Sequence, residues 1–254
     1  RRVITYQIPV SYLLTVAVVT GLLLGFNLPA NNSYFLPVLG AAFAIIVVKQ
    51  LFGGLGKNFV NPALAARVFL FLSFPTQMTR FPVPFSRSAE IVAGATPRAG
   101  GAAGLFDLFF GRTGGCIGEV SAFLLLLGGV YLLCRRVITY QIPVSYLLTV
   151  AVLTLLFPSD GTFLSVQFML RELFSGGLML GAIFMATDYV TSPVTSRGRL
   201  VFGVGCGLLT VFFRSFGSYP EGVSFAILVM NCLVYYIDKL TMPRVFGGAR
   251  HAKK

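Results

Sequence analysis

Apolar residues run along this chain in long unbroken blocks, set apart by short polar links. The blocks lie at about Val10 to Phe26, Tyr34 to Val48, Ala63 to Phe74, Ile117 to Cys134, Val137 to Phe157, a stretch ending near Ala186, Leu200 to Phe213 and Gly222 to Ile237. Several approach the roughly 20 residues that carry a helix across a bilayer. A β-barrel would show short alternating segments instead. The pattern predicts an all-α, polytopic helical membrane protein of about eight spans, a single integral membrane domain over residues 1–254. The sixth block is interrupted by Arg171-Glu172 and Ser175-Gly176-Gly177, which predicts a short interfacial helix before the true crossing.

Composition sharpens this picture. Of 254 residues, 56% are hydrophobic and 11% charged, too oily for a water-soluble domain of this size. The net charge of +12 sits in short links and at the C-terminus. Positive-inside bias explains it without a nucleic-acid partner. With the basic tail, residues 238–254, on the cytoplasmic side, the clusters Arg197/Arg199, Arg135/Arg136, Lys49/Lys57 and Arg1/Arg2 also fall inside. The same count puts the long link 75–116 outside, although it carries Arg80, Arg87, Arg98 and Arg112. Either that link is long enough to escape the rule, or its arginines pair with phosphate. The four cysteines form no CxxC pair and the single His251 lies in the tail, so no metal site and no catalytic base is expected.

Two stretches offer chemistry. In Gly94-Ala95-Thr96-Pro97 the proline biases Thr96 towards an extended backbone, and the small neighbours leave its hydroxyl open to a modifying enzyme or a bulky adduct. In Gly53-Gly54-Leu55-Gly56-Lys57-Asn58-Phe59-Val60-Asn61-Pro62, glycines and a proline break helical continuity beside the spans, as at a ligand pocket. Asn58 and Asn61 could present amides to a bound ring or cap the third helix at Pro62. Asp188 and Glu119, acidic groups near spans, are candidates for ion coupling or for turn and helix caps. Arg1 to Val18 repeats Arg135 to Val152 residue for residue, so the first stretch carries little weight. Gly21-Leu22-Leu23-Leu24-Gly25 echoes Gly177-Leu178-Met179-Leu180-Gly181 more faintly.

The Gly53 to Asn58 run with Asn61-Pro62-Ala63, then Gly94-Ala95-Thr96-Pro97, Gly118-Glu119, and Thr187-Asp188 with Thr191-Ser192-Pro193, resembles the RnfD/NqrB family. These are membrane subunits of Rnf and sodium-pumping NADH:quinone oxidoreductase complexes, and the compact length is more like RnfD. The resemblance covers the chain from about Val18 onward. The family pattern is ten spans in two inverted repeats of five, against eight here.

The resemblance implies FMN bound covalently through a phosphodiester to Thr96, installed outside the membrane by a flavin transferase that uses FAD. The family's attachment pattern has Asp, Ser and Leu where this chain has Glu90, Ala93 and Arg98. It further implies a noncovalent riboflavin near Asn58 and Asn61. The partners would be other Rnf-complex subunits carrying iron-sulfur clusters and flavin, in a bacterial or archaeal cytoplasmic membrane. The expected function is electron transfer coupled to Na+ or H+ translocation in a ferredoxin:NAD oxidoreductase, with no catalysis by this chain alone. Moving one cation against ~150 mV costs ~3.5 kcal/mol, which a two-electron drop of about 75 mV supplies. The rival readings are a redox-silent inverted-repeat transporter, with its broken-helix site at Gly53 to Asn61 and Thr187 to Pro193, and a structural scaffold for other subunits.

Overall fold

The computed structural model describes residues 17–53, 57–82, 91–93, 104–158, 164–217 and 222–243. Eight apolar helical segments are present among them, in the order the hydrophobic blocks predict. They are α1 (Ala17–Phe26), α2 (Phe35–Gln50), α3 (Pro62–Ser73), α6 (Ala122–Cys134), α7 (Gln141–Leu156), the broken pair α8 (Val166–Phe174) and α9 (Leu178–Met185), α10 (Ser196–Phe216) and α11 (Gly222–Thr241). The link between α3 and α6 is not wholly irregular. It holds one turn, α4 (Pro75–Met78), a hairpin of β1 (Arg80–Pro82) with β2 (Ile91–Ala93), and α5 (Leu105–Phe110).

Helix starts follow local chemistry. Ser121, Ser165 and Thr195 each sit in extended backbone and accept a first-turn N–H with the side-chain oxygen, capping α6, α8 and α10. Asn61 does the same for α3, with Pro62 at the first helical position. The hydroxyl of Ser121 therefore holds the start of α6. The fourth span begins at Ala122, short of the expected Ile117, because Ile117 and Gly118 donate instead to Leu28 and Phe26 carbonyls at the end of α1.

Among the described residues, only α10 and α11 are long and apolar enough to cross a membrane unaided, and α8 with α9 makes a third crossing bent by 65°. The bend sits at Gly176 and Gly177, with φ of 69° and 67°, a left-handed backbone that suits residues without a Cβ. At 1.5 Å per residue, the 12 residues of α3 reach about 18 Å, short of a ~30 Å hydrocarbon core. Thus α3 and α9 are partial crossings, and their ends lie inside the protein. The second half of α2, from Phe43, and the last turns of α9, from Gly181, are wound as π-helix.

Helix α10 packs against both α7 and α11. Gly203 and Gly207, one turn apart, bring the backbone of α10 onto Ser145 and Thr149 of α7; a Cβ on Gly207 would lie 2.6 Å from Thr149 Cβ. Small residues at this spacing let helices approach closely where no hydrophobic drive exists between them. Tyr146 closes the same contact, its hydroxyl 2.6 Å from that of Thr210.

Candidate functional site

The partial helices α3 and α9 gather an unusual number of polar side chains in the interior. In hydrocarbon every such group must find a partner in the protein. Asn61 accepts from Ala63 and Leu64 N–H through Oδ1 and donates to the Met185 carbonyl at 3.2 Å. That carbonyl lies in the last turn of α9, so one amide joins the start of α3 to the end of α9. Asn231 of α11, with its amide nitrogen facing the acceptors, donates to the carbonyls of Thr191 (3.1 Å) and Ile227 (3.3 Å) and accepts from Asn61 N–H (3.1 Å). The Thr191 hydroxyl then donates to Asp188 Oδ2 at 3.0 Å.

A second group lies towards the opposite end of α9. Arg67, in the second turn of α3, donates to Asn27 Oδ1 and, at 3.4 Å, to Cys116 Sγ. Asn27 Nδ2 donates to the Leu23 carbonyl and to Met185 Sδ at 3.4 Å. The Cys116 N–H donates to Glu119 Oε1 at 3.0 Å. Glu119 Oε2 is buried with no hydrogen-bond partner, and a Cβ on Gly177 would clash with it. The Arg67 guanidinium flanks the same glycine. The result is one polar seam from Asp188 to Glu119. Asn27, Asn61, Arg67, Cys116, Thr191 and Asn231 are each at most 4% exposed.

Asp188 sits in the turn after α9, half-buried. Burial pushes its carboxyl above the usual range, while the Thr191 hydroxyl, the Val190 N–H and the Lys49 ammonium pull it back. Lys49 itself is buried near the end of α2 and donates to the Thr20 hydroxyl of α1.

Of the residues singled out by sequence, Gly94, Ala95, Thr96 and Pro97 lie outside the described residues. Asn61, Asp188 and Glu119 are joined by the seam. Asn58 is buried but makes a local bond, donating to the Val60 carbonyl at 3.2 Å. Among the described residues no group of three or more His, Cys, Asp or Glu could hold a metal ion.

Sequence reading passed over Arg67, Asn27 and Asn231, and also the buried ion pair of Arg214 and Glu172. Arg214 Nη1 lies 3.0 Å from Glu172 Oε2 and donates to the Glu172 carbonyl (2.7 Å); Nη2 donates to the carbonyls of Ser175 (2.9 Å) and Gly176 (3.3 Å). Glu172 is thus an interior group at the α8–α9 break rather than part of a wet interfacial pair. The available signal was a charge or amide inside an apolar block, which marks an interior position.

A family model described as the NQR2, RnfD, RnfE family matches residues 15–247. The chain belongs to the NQR2, RnfD, RnfE family. Among its relatives, the RnfD-type component of the Na(+)-translocating ferredoxin:NAD(+) oxidoreductase complex of Acetobacterium woodii is 46% identical over 247 residues, 94% of this chain and 74% of the relative. The corresponding component of the proton-translocating ferredoxin:NAD(+) oxidoreductase complex of Clostridium ljungdahlii is 39% identical over 250 residues, 92% of this chain and 75% of the relative. That of the ion-translocating oxidoreductase complex of Stutzerimonas stutzeri is 39% identical over 280 residues, with 93% and 77% covered. Membership in this family fits the multi-pass helical architecture, and the relatives' names differ in the ion moved.

Proposed function

We propose that this chain is the membrane electron-transfer component, of the RnfD type, in an ion-translocating ferredoxin:NAD oxidoreductase complex. In this reading Thr96 carries FMN through a phosphodiester on the extracytoplasmic side, and the C-terminal tail lies in the cytoplasm. The observation that carries it is the buried seam, which joins Asn61 of the resemblance motif to both acidic residues in a family of ion-translocating complexes.

The described ends of the link suit a flavin. Arg80 and Arg112 are exposed on either side of it, as phosphate contacts need, and α5 presents Phe106 (80% exposed) and Phe110 (59%), flat faces for a ring system. FMN held there supplies one- and two-electron carrying chemistry. The chain's own part is to hold the tether, exclude water with its apolar helices and keep Asp188 and Glu119 poised in the interior. The residues at the second place fit a flavin less well. Asn61 is occupied by its cap and by Met185, so a noncovalent riboflavin would have to take over that bond. Iron-sulfur and flavin subunits and a flavin transferase are the partners the reading requires.

The bend between α8 and α9 is what favours the rival transporter reading, because broken helices expose carbonyls that bind ions. Here Arg214 already occupies the carbonyls of the break, where a transported cation would sit.

The test is in-gel flavin fluorescence of the denatured, washed chain beside Thr96→Ala, followed by peptide mass analysis. Fluorescence that survives denaturation and vanishes in the variant supports the reading. Absence of covalent flavin from a host that flavinylates relatives overturns it in favour of the transporter.

A further inference from the structure

Resting on the reading of Asp188 and Glu119 as ion-coupling groups, we propose that the seam makes them one coupled unit. A monovalent cation on the Glu119 carboxylate raises the affinity of the Asp188 end, and Arg67 is the positioning residue that links the two. Coupling of this kind needs an element with two discrete arrangements.

Arg67 is that element. Its guanidinium donates to Asn27 and Cys116, while the neighbouring Glu119 has a buried oxygen with no hydrogen-bond partner, although Glu119 is only 8% exposed. Both groups flank Gly177. A second arrangement therefore lies within side-chain reach, in which the guanidinium leaves Asn27 for Glu119 Oε2. An uncompensated buried oxygen is costly, so an empty Glu119 draws Arg67 towards it. A cation on Oε2 removes that pull and leaves Arg67 on Asn27.

The choice reaches Asp188 through named bonds. Asn27 holds the Met185 sulfur, the Met185 carbonyl receives Asn61, the Asn61 N–H meets Asn231, and Asn231 fixes the Thr191 carbonyl while the Thr191 hydroxyl fixes Asp188. Releasing Asn27 loosens this clasp at the end of α9. The charged or titratable groups facing the two carboxylates are Lys49 from α2, Arg67 from α3 and Cys116 from the segment before α6. Asp238 of α11 lies beyond, accepting from Val194 N–H.

The experiment uses the assembled complex in membrane vesicles. It measures the Na+ concentration giving half-maximal ferredoxin:NAD turnover, with pH as the variable where Na+ has no effect on wild type. Glu119→Gln, which mimics a neutralised carboxylate, is made in three backgrounds: the intact seam, Met185→Leu, which removes the sulfur acceptor at nearly constant volume, and Asn231→Ala. Coupling of ordinary size predicts that Glu119→Gln lowers the half-saturating concentration about fivefold or more in the intact seam. In either cut background the expected shift is less than about twofold, with the assembled complex and its flavin fluorescence retained. Met185→Leu keeps the test in force if Asn231→Ala fails to assemble. An equal shift in all backgrounds, or none in the intact seam, overturns the coupling. If Asp188→Asn also leaves the cation dependence untouched, the ion-coupling reading falls as well, independently of the flavin result.

Discussion

Arg214→Met is the sharpest probe of what holds the break between α8 and α9. The Arg214 and Glu172 side chains are 1% and 4% exposed, and the variant strands the carboxylate together with the carbonyls of Glu172, Ser175 and Gly176. Breaking a buried ion pair from one side costs about 3–5 kcal/mol. Each stranded carbonyl adds on the order of 1–3 kcal/mol, less where the bend relaxes. At about 2–4 °C per kcal/mol for a chain of this size, the pair alone predicts a drop on the order of 10 °C. Adding Glu172→Gln removes the stranded charge but leaves the carbonyls, so the double variant recovers part of the loss, about 2 kcal/mol or more. The assay is the temperature at which the detergent-solubilised protein loses its monodisperse peak in size-exclusion chromatography. There is no Trp for intrinsic fluorescence. A fall of less than about 2 °C in Arg214→Met, or a double variant worse than the single one, would refute the argument that this pair closes the break.

Other outcomes follow from single contacts. Asn61→Ala removes the α3 cap and leaves the Met185 carbonyl stranded, and should cost about 2–4 kcal/mol in the same assay. Gly207→Leu should separate α7 from α10 and abolish recovery of the folded chain, while Gly21→Ala, where no atom lies within 4 Å of the added Cβ, should be silent; equal yields would count against the packing. Tyr146→Phe should cost only about 0.5–1.5 kcal/mol, because Thr210 keeps its bond to the Cys206 carbonyl. For Asp188 the folded carboxyl is raised, so its contribution is fully present below the ordinary value of 3.8 and is lost as pH rises through the raised one. Thermal midpoints of Asp188→Asn should therefore gain on wild type as pH increases over that window; a constant or narrowing difference would contradict the sign.

Much of the architecture was legible because hydrophobic blocks and capping residues act locally. Ser121, Ser165 and Thr195 announce α6, α8 and α10 within one turn of sequence, and Asn61-Pro62 announces α3. The seam was not legible, because its bonds join residues far apart: Arg67 meets Cys116 across 49 positions and Asn61 meets Met185 across 124. Arg67 within Ala-Ala-Arg-Val-Phe and Asn231 within Val-Met-Asn-Cys-Leu show only that a polar group sits where lipid would reject it, not which group answers it. The π-wound turns of α2 and α9 leave no mark in the hydrophobic pattern at all. Glu119 stands out in the sequence as an acid near a span, but its half-satisfied state depends on Gly177, far along the chain.

The tight contact of α7 with α10 has an electrical consequence. Tyr146, Val150, Phe202 and Cys206 are all completely buried there, and the glycine backbone of α10 is pressed directly onto α7. That wall is a dry dielectric, with no room for a chain of water across it. A protein that helps to charge a membrane must not also short-circuit it. Confining the polar seam to the side of α1, α3, α9 and α11 leaves this half of the bundle as the insulation.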